Sequence, residues 1–242
     1  MSYSSLAQVY DALTENVEYK KRAEYIQSIL SKHGAEGGIL LDLACGTGML
    51  SKELSKFGYD LILADISAEM LSFARERLPE SLILCQSMTE LDLYGTINHA
   101  VCSLDSINHL LKPCDVKAAF GCVSLFMEKG GVFVFDVNTP YKHEHILGNN
   151  SFVSEKEDIF CVWQNSYKRK SRTTDINIDI FIKENENYIR MQESFSERAY
   201  PLEDIAKWLG ETGFEVVGIY DDMSENEPAE NSERVYFAAI KR

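Results

Sequence analysis

Apolar positions along the chain follow two periods, one helical and one extended, and the two alternate. Residues 19–33 carry Ala23, Ile26, Ile29 and Leu30 at helical spacing, and Gly34 is the expected stop. The run 39-ILLDLA-44 is apolar except for one acid, as in a strand buried on both faces of a parallel sheet. A helix is predicted over 49–57 and ended by Gly58, followed by a strand over 60–65, a helix over 67–78 and a strand over 81–86. Ser67 is the expected N-cap of the second of these helices, because its hydroxyl can accept a bond from a free amide of the first turn. Strands are predicted again over 98–104 and 132–137, with a helix over 115–129 between them. Strands that alternate with helices require right-handed crossovers, so the fold class is α/β with a doubly wound, mostly parallel sheet.

The pattern changes near residue 148. Residues 158–167 have strand character, and in 174-TDINIDIFIK-183 four isoleucines alternate with Asp175, Asn177, Asp179 and Phe181. After the polar turn 184-ENEN-187, residues 188–195 are again strand-like. A period of two between turns predicts an antiparallel β meander with one wetter face. It reads as an inserted subdomain over 148–198 within a single domain spanning 1–242. The α/β pattern then resumes. Pro201 opens a helix that buries Leu202, Ile205, Ala206 and Leu209, and Gly213 closes it. Strands over 214–220 and 235–240 are joined by an acidic loop and no helix, so they are expected to pair as an antiparallel terminal hairpin. Seven strands are thus expected in the main sheet, which makes it Rossmann-like.

Charge narrows the partners. The chain of 242 residues has a formal charge of −14, so a phosphate backbone or an anionic membrane surface would be repelled. Nucleic acid and membrane are therefore poor partners. The one basic cluster, 168-KRKSR-172, reads as a solvated turn, with a narrow tRNA contact as its alternative. Six cysteines lie at least eight residues apart, which leaves no C-x-x-C pair and suits a reducing, cytoplasmic setting. The stretch MSYSSLAQVYDAL lacks the charge and apolar run of a secretion signal, and no apolar run approaches ~18 residues.

The chemistry starts at the turn after the first strand. Gly46 and Gly48 stand where a dinucleotide fold has G-x-G-x-x-G, but Ser51 takes the third glycine's place, and no phosphate-binding lysine follows. Asp42 lies inside the apolar strand, where a carboxylate is costly unless donors or a cation meet it. Asp65 ends the next strand, 17 residues after Gly48, where an acid can accept both hydroxyls of a ribose. A glycine platform, a ribose acceptor and a further carboxylate suit a nucleoside that carries positive charge and no phosphate.

The stretch Leu41-Asp42-Leu43-Ala44-Cys45-Gly46-Thr47-Gly48 resembles motif I of the class I S-adenosylmethionine-dependent methyltransferases, and the likeness extends over nearly the whole chain. The resemblance implies S-adenosylmethionine as cofactor, with Asp42, Ala44, Gly46 and Gly48 beside it. It implies that Asp65 holds the ribose and that Ile66 and Met70 flank the adenine. In 86-QSMTELDL-93, Ser87 stands where the family usually has an acid, so the adenine contact there falls to Ser87, Gln86 or the Met88 backbone. The stretch 102-CSLDSINHLL-111 is similar to the exit of strand four, with Leu104 and Asp105 along the methionine part of the cofactor.

Finer features, among them 8-QVYDAL-13, 135-FDVNTPYK-142 and 233-ERVYFAAIK-241, resemble a bacterial subgroup. The meander resembles that of small-molecule N-methyltransferases acting on glycine or amino sugars. The implied reaction is SN2 displacement of a sulfonium methyl by a small-molecule acceptor, with a general base needed only for a protonated nucleophile. Tyr10 is the candidate lid. His109 and Tyr141 are the candidate catalytic residues, the plain alternative for His109 being a structural histidine. His143 and His145 could touch the acceptor, and Trp163 and Tyr200 could wall its pocket. No metal is implied. Two other readings remain: an NAD-dependent oxidoreductase, and a nucleoside-binding module without catalysis. The acceptor, the atom methylated and the oligomeric state stay open.

Overall fold

The computed structural model describes Ala7, residues 9–156 and residues 158–242; Gln8, the first residue of the 8–13 stretch, lies outside the described residues. Five strands, β1 (Ile39–Leu43), β2 (Asp60–Asp65), β3 (Leu82–Cys85), β4 (His99–Cys102) and β5 (Val132–Asn138), run parallel. They are crossed over by α3 (Met49–Leu54), α4 (Ala68–Arg77) and α5 (Pro113–Phe126), after α1 (Tyr10–Leu13) and α2 (Tyr19–Lys32). The seven-stranded sheet is completed at one edge by β10 (Phe214–Asp221), which follows α6 (Leu202–Glu211), and by β11 (Arg234–Lys241). The strand order is β10-β11-β5-β4-β1-β2-β3. Strand β11 pairs antiparallel with both neighbours, which is the terminal hairpin the sequence predicts.

The pleat explains the unbroken apolar runs. Successive side chains of a strand point to opposite faces, and here both faces are covered. Phe133 and Phe135 join Phe120, Trp208 and Phe237 under α5 and α6, while Val132 and Val134 of the same strand pack with Ile26, Leu30 and Leu54 under α2 and α3. A fully buried side chain of this size contributes roughly 1.5–3 kcal/mol, so two such layers hold the sheet rigidly. Ser67 caps α4 as expected, its hydroxyl accepting from the Met70 amide. The predicted helix over 49–57 is α-helical only to Leu54 and tightens into a 3₁₀ turn at Ser55–Phe57 before Gly58.

The inserted meander forms a second sheet in the order β6-β7-β8-β9: β6 (Ser151–Lys156), β7 (Ile159–Lys168), β8 (Thr173–Glu184) and β9 (Asn187–Arg198). The sequence pattern predicts only three of these strands. Strand β6 is an edge strand whose residues are exposed along most of its length, so burial imposes no alternation on it. In β8 the expected period holds: Ile176, Ile178 and Ile180 are buried with Val9 and Cys161. The basic cluster is the end of β7 and the turn after it. Lys168 pairs with Asp175 at 2.5 Å and Arg169 with Glu144 at 3.0 Å, both at the surface. Among the described residues no helix is long and apolar enough to cross a membrane.

Candidate active site

Strand order reverses beside β1, whose neighbours are β2 and β4, and a cavity of about 520 Å³ opens there beyond the carboxyl ends of the strands. That is where open α/β sheets bind ligands, because two crossovers diverge and leave a crevice. The size suits a small-molecule site, typically ~300–1,000 Å³. The walls include Tyr10, Asp42, Ala44, Gly46, Asp65, Ile66, Met70, Ser87, Met88, Leu104, Asp105 and His109.

The glycine turn is built from left-handed backbone. Ala44, Gly46 and Gly48 have φ of 59°, 56° and 76°. A Cβ on Gly48 would sit 3.2 Å from the Ala74 Cβ and 3.3 Å from its Cα, so the glycine permits α3 to lie against α4. Gly48→Ala combines this contact with an unfavourable φ. We expect a loss of about 1–2 kcal/mol, a fall of roughly 2–8 °C in thermal midpoint, and an unchanged midpoint would refute the packing role. Gly48 does not line the cavity; Gly46 does.

Asp65 locks the turn to the second strand. One carboxylate oxygen accepts from the Gly46 amide and the other from the Ser67 amide, each at 2.8 Å. Burial raises its pKa, and these amides pull it back down. Asp42 is buried and accepts the Ser51 hydroxyl at 2.5 Å. Burial pushes its pKa up to about 7, with the Asp65 charge adding to the rise and Ser51 opposing it. The site thus invests electrostatic energy in an acid that only a cationic ligand would repay. Raised above its unfolded value, this group favours the fold below pH ~4 and loses that contribution as pH climbs toward 7. Asp42→Asn should therefore be about 1–2 kcal/mol more stable than wild type at pH 8 without cofactor, and no more stable at pH 4. Parallel denaturation curves at the two pH values would exclude this origin.

Ile66, Met70, Ser87 and Met88, which the family resemblance assigns to the adenine, all line the cavity. Gln86 is engaged with the backbone of Asp92, and the Ser87 hydroxyl with Thr89, so both side chains have partners within their loop.

At the other end the decisive residues are ones the sequence reading did not single out. Leu104 and Asp105 have φ of 58° and 53°, a strained turn for side chains. Asp136, fully buried in β5, holds it: its carboxylate accepts from the Ser103 hydroxyl at 2.6 Å and from the amides of Leu104 at 2.7 Å and Asp105 at 3.0 Å. Arg234 at the start of β11 bridges Asp136 and Asp105. Burial pushes Asp105 up, yet the charges of Arg234, Lys142 and His109 outweigh it and hold its pKa at about 2. The signal for Asp136 was available: one acid within 132-VFVFDV-137 poses the same problem as Asp42 within 39-ILLDLA-44. Glu197, near the end of β9, had no such signal, because 193-ESFSER-198 looks like a solvated strand end. It is buried, lines the cavity, and lies 3.8 Å from the His109 Nε2.

Of the two catalytic candidates, His109 lines the cavity and Tyr141 does not. Tyr141 packs against His145, ring centroids 4.7 Å apart and tilted by 35°, and lines a separate cleft with Pro201 and Glu230, at the start of a π-helical turn, Lys142–Leu147. The same turn buries His143 completely. Burial lowers the His109 pKa, and the Asp105 and Asp65 charges raise it. Trp163 is a cavity wall, whereas Tyr200 packs edge-on against Trp208 and donates to the Leu110 carbonyl.

Tyr10 lines the cavity from α1. Asp11 accepts from the Thr47 hydroxyl and from Arg77, each at 2.6 Å, and Lys156 of β6 reaches the Ala12 carbonyl at 3.1 Å. The short helix is thereby tied both to the glycine turn and to the meander, as a cover over the cleft. Asp105, His109 and Glu197 offer atoms within 4.8 Å of one another, but the Arg234 guanidinium already supplies the cation beside Asp105.

Comparison with known proteins agrees with this geometry. Residues 40–131 match the family model described as "Methyltransferase domain". The chain is 32% identical to "Putative methyltransferase YqeM" of Bacillus subtilis (strain 168) over 245 residues, covering 100% of this chain and 98% of the relative. A crystal structure of an S-adenosylmethionine-dependent methyltransferase from Clostridium acetobutylicum ATCC 824 superposes with a TM-score of 0.90 at 31% identity, over 99% of this chain and 98% of that one. A dTDP-3-amino-3,6-dideoxy-alpha-D-glucopyranose N,N-dimethyltransferase of Streptomyces fradiae is 27% identical over 133 residues, 54% of this chain and 52% of the relative. The chain belongs to the S-adenosylmethionine-dependent methyltransferases, an enzyme family whose cofactor the left-handed turn, Asp65 and the cavity fit.

Proposed function

We propose that the enzyme methylates a small molecule and that the acceptor enters between His109, Trp163 and Phe195, which line the cavity. The observation that carries this is one continuous cavity, which joins the glycine turn to a wall donated by the meander. When bound, S-adenosylmethionine supplies a methyl group made electrophilic by its sulfonium, released by SN2 displacement.

The chain's residues have the remaining work. Asp65, fixed by two amides, receives the ribose hydroxyls. Ile66 and Met70 pack on the adenine, and the left-handed backbone from Ala44 to Gly48 lets the ligand approach the main chain. Asp42 supplies negative potential beneath the cationic part. Leu104 and Asp105, pinned by Asp136, border the methionine moiety. Tyr10 and α1 exclude water, which keeps the nucleophile unsolvated and aligned. The Streptomyces fradiae relative, by its name, methylates an amino sugar, which supports a small acceptor. Six unpaired cysteines suit a reducing, cytoplasmic setting.

A fractionated bacterial extract tests the proposal. With radiolabelled methyl donor, label should pass into the small-molecule filtrate. Label confined to protein or RNA would overturn it.

A further inference from the structure

The inner face of the meander carries a row of apolar side chains that the cofactor reading leaves unused. Antiparallel register sets Phe152 of β6 opposite Trp163 of β7, and Trp163 opposite Ile178 of β8. Cross-strand partners stand on one face, and so do residues two apart on a strand. Cys161 therefore lies beside Trp163, and Phe195 of β9, the partner of Ile176, lies beside Ile178. All five line the cavity. Neighbouring strands are ~4.8 Å apart, so the row from Phe152 to Ile178 spans about 10 Å, room for a fused bicyclic ring. Tyr10 and Leu13 of α1 pack against the same cluster and also line the cavity. The rings here already meet edge-on or tilted, Phe152 with Trp163 at 6.3 Å and His109 with Phe195 at 5.2 Å, and a further ring can join in the same geometries.

Polar groups are scarce along this wall. Among the described residues the meander adds only Ser154 and Glu197 to the lining. Glu197 turns Oε2 to the buried His143 at 3.7 Å and Oε1 to His109 at 3.8 Å. The Trp163 indole N–H donates to the Asn165 Oδ1 at 2.6 Å, so its ring offers hydrocarbon. Polar side chains elsewhere around the cavity are bonded to their own neighbours. Thr14 donates to the Tyr10 carbonyl at 2.8 Å and accepts from Tyr19 at 2.9 Å, Ser106 donates to the Ser103 carbonyl at 2.8 Å, and Ser103 and Arg234 are held by Asp136. A sugar or an amino acid enclosed here would leave several donors and acceptors without partners, which is costly once water is excluded.

Resting on the methyltransferase reading above, we propose that the acceptor is a flat, largely hydrocarbon ring system with one nucleophilic heteroatom at its edge, and neither a sugar nor an amino acid. Its face lies on Trp163 and Phe195, which set the specificity, and its heteroatom points to His109 and Glu197, where the polar groups of this wall meet. Phe152, 41% exposed although it lines the cavity, is covered when the ring is bound.

Calorimetry on the full chain saturated with S-adenosylhomocysteine tests this, with 2-naphthol as the flat probe and D-glucosamine as the polar one. Saturation keeps the probe out of the cofactor's half of the cavity. The wild type should bind one 2-naphthol, at least about tenfold more tightly than glucosamine. Trp163→Ala should weaken 2-naphthol at least about tenfold, and Phe152→Ser, at a partly exposed position that folding tolerates, about threefold. Glucosamine bound as tightly as 2-naphthol would overturn the assignment, and so would a 2-naphthol affinity that neither substitution moves. Should Trp163→Ala fail to fold, the wild-type preference and Phe152→Ser decide. Failure of the wild type to bind S-adenosylhomocysteine brings down the cofactor reading and this one with it. Cofactor binding without the preference for 2-naphthol brings down this one alone.

Discussion

Arg234→Met should destabilise the protein by about 3–5 kcal/mol at pH 7, because it removes the one cation bonded to both Asp136 and Asp105. Asp136 is fully buried, and a methionine of similar volume would leave its charge with only the neutral donors of Ser103, Leu104 and Asp105. The effect has a definite pH dependence. Asp105 is held at about 2, below its ordinary value, so its ionic contribution is present above pH ~4 and is lost as pH falls through 2. The penalty of the substitution should therefore shrink steadily below pH 4, since a protonated carboxyl needs no guanidinium. Chemical denaturation of both proteins at pH 7 and pH 3 measures this directly. Equal penalties at the two values, or a penalty under about 1 kcal/mol at pH 7, would show that the bridge does not hold the turn.

Asp65→Ala should weaken S-adenosylhomocysteine binding at least 100-fold, on the order of 2.7 kcal/mol. The carboxylate does two jobs, and the substitution removes both. It is the proposed ribose acceptor at the cavity wall, and it is the partner of the Gly46 and Ser67 amides, each at 2.8 Å. Asp65→Asn keeps one acceptor oxygen and should fall between the two. Titration calorimetry well below the thermal midpoint separates lost affinity from lost fold. An affinity within threefold of wild type would move the ribose elsewhere in the cavity.

Much of this was open to a reader of the sequence. Within the crossed-over sheet, neighbouring residues settle the local structure: an apolar run long enough for a strand, a glycine where φ must be positive, a serine where a helix begins. Motif I packs strand, turn and helix into consecutive residues, so a ligand platform is legible there, and Asp42, Gly46, Asp65 and Met70 all line the same cavity. Strand β6 escaped because an exposed edge places no demand on composition. Tyr141, a catalytic candidate from the sequence, lines a different cleft at the start of the π-helical turn after β5, and nothing in 141-YKHEH-145 marks that turn.

The charged cluster around Arg234 followed a different rule. Asp105, Asp136, Glu197 and Arg234 come from four separate stretches spread over 130 residues of chain, and their charges have meaning only together. Glu197 and Arg234 alone read as ordinary polar residues near a strand end, and the acid at Asp136 does not name its partner. What the sequence by itself determined was the α/β order of elements, the terminal hairpin and the nucleoside platform, since these rest on contacts within one crossover. Tertiary structure alone decided which buried carboxylates would share the Arg234 guanidinium, because desolvation and Coulomb energy depend on distance through space and not along the chain.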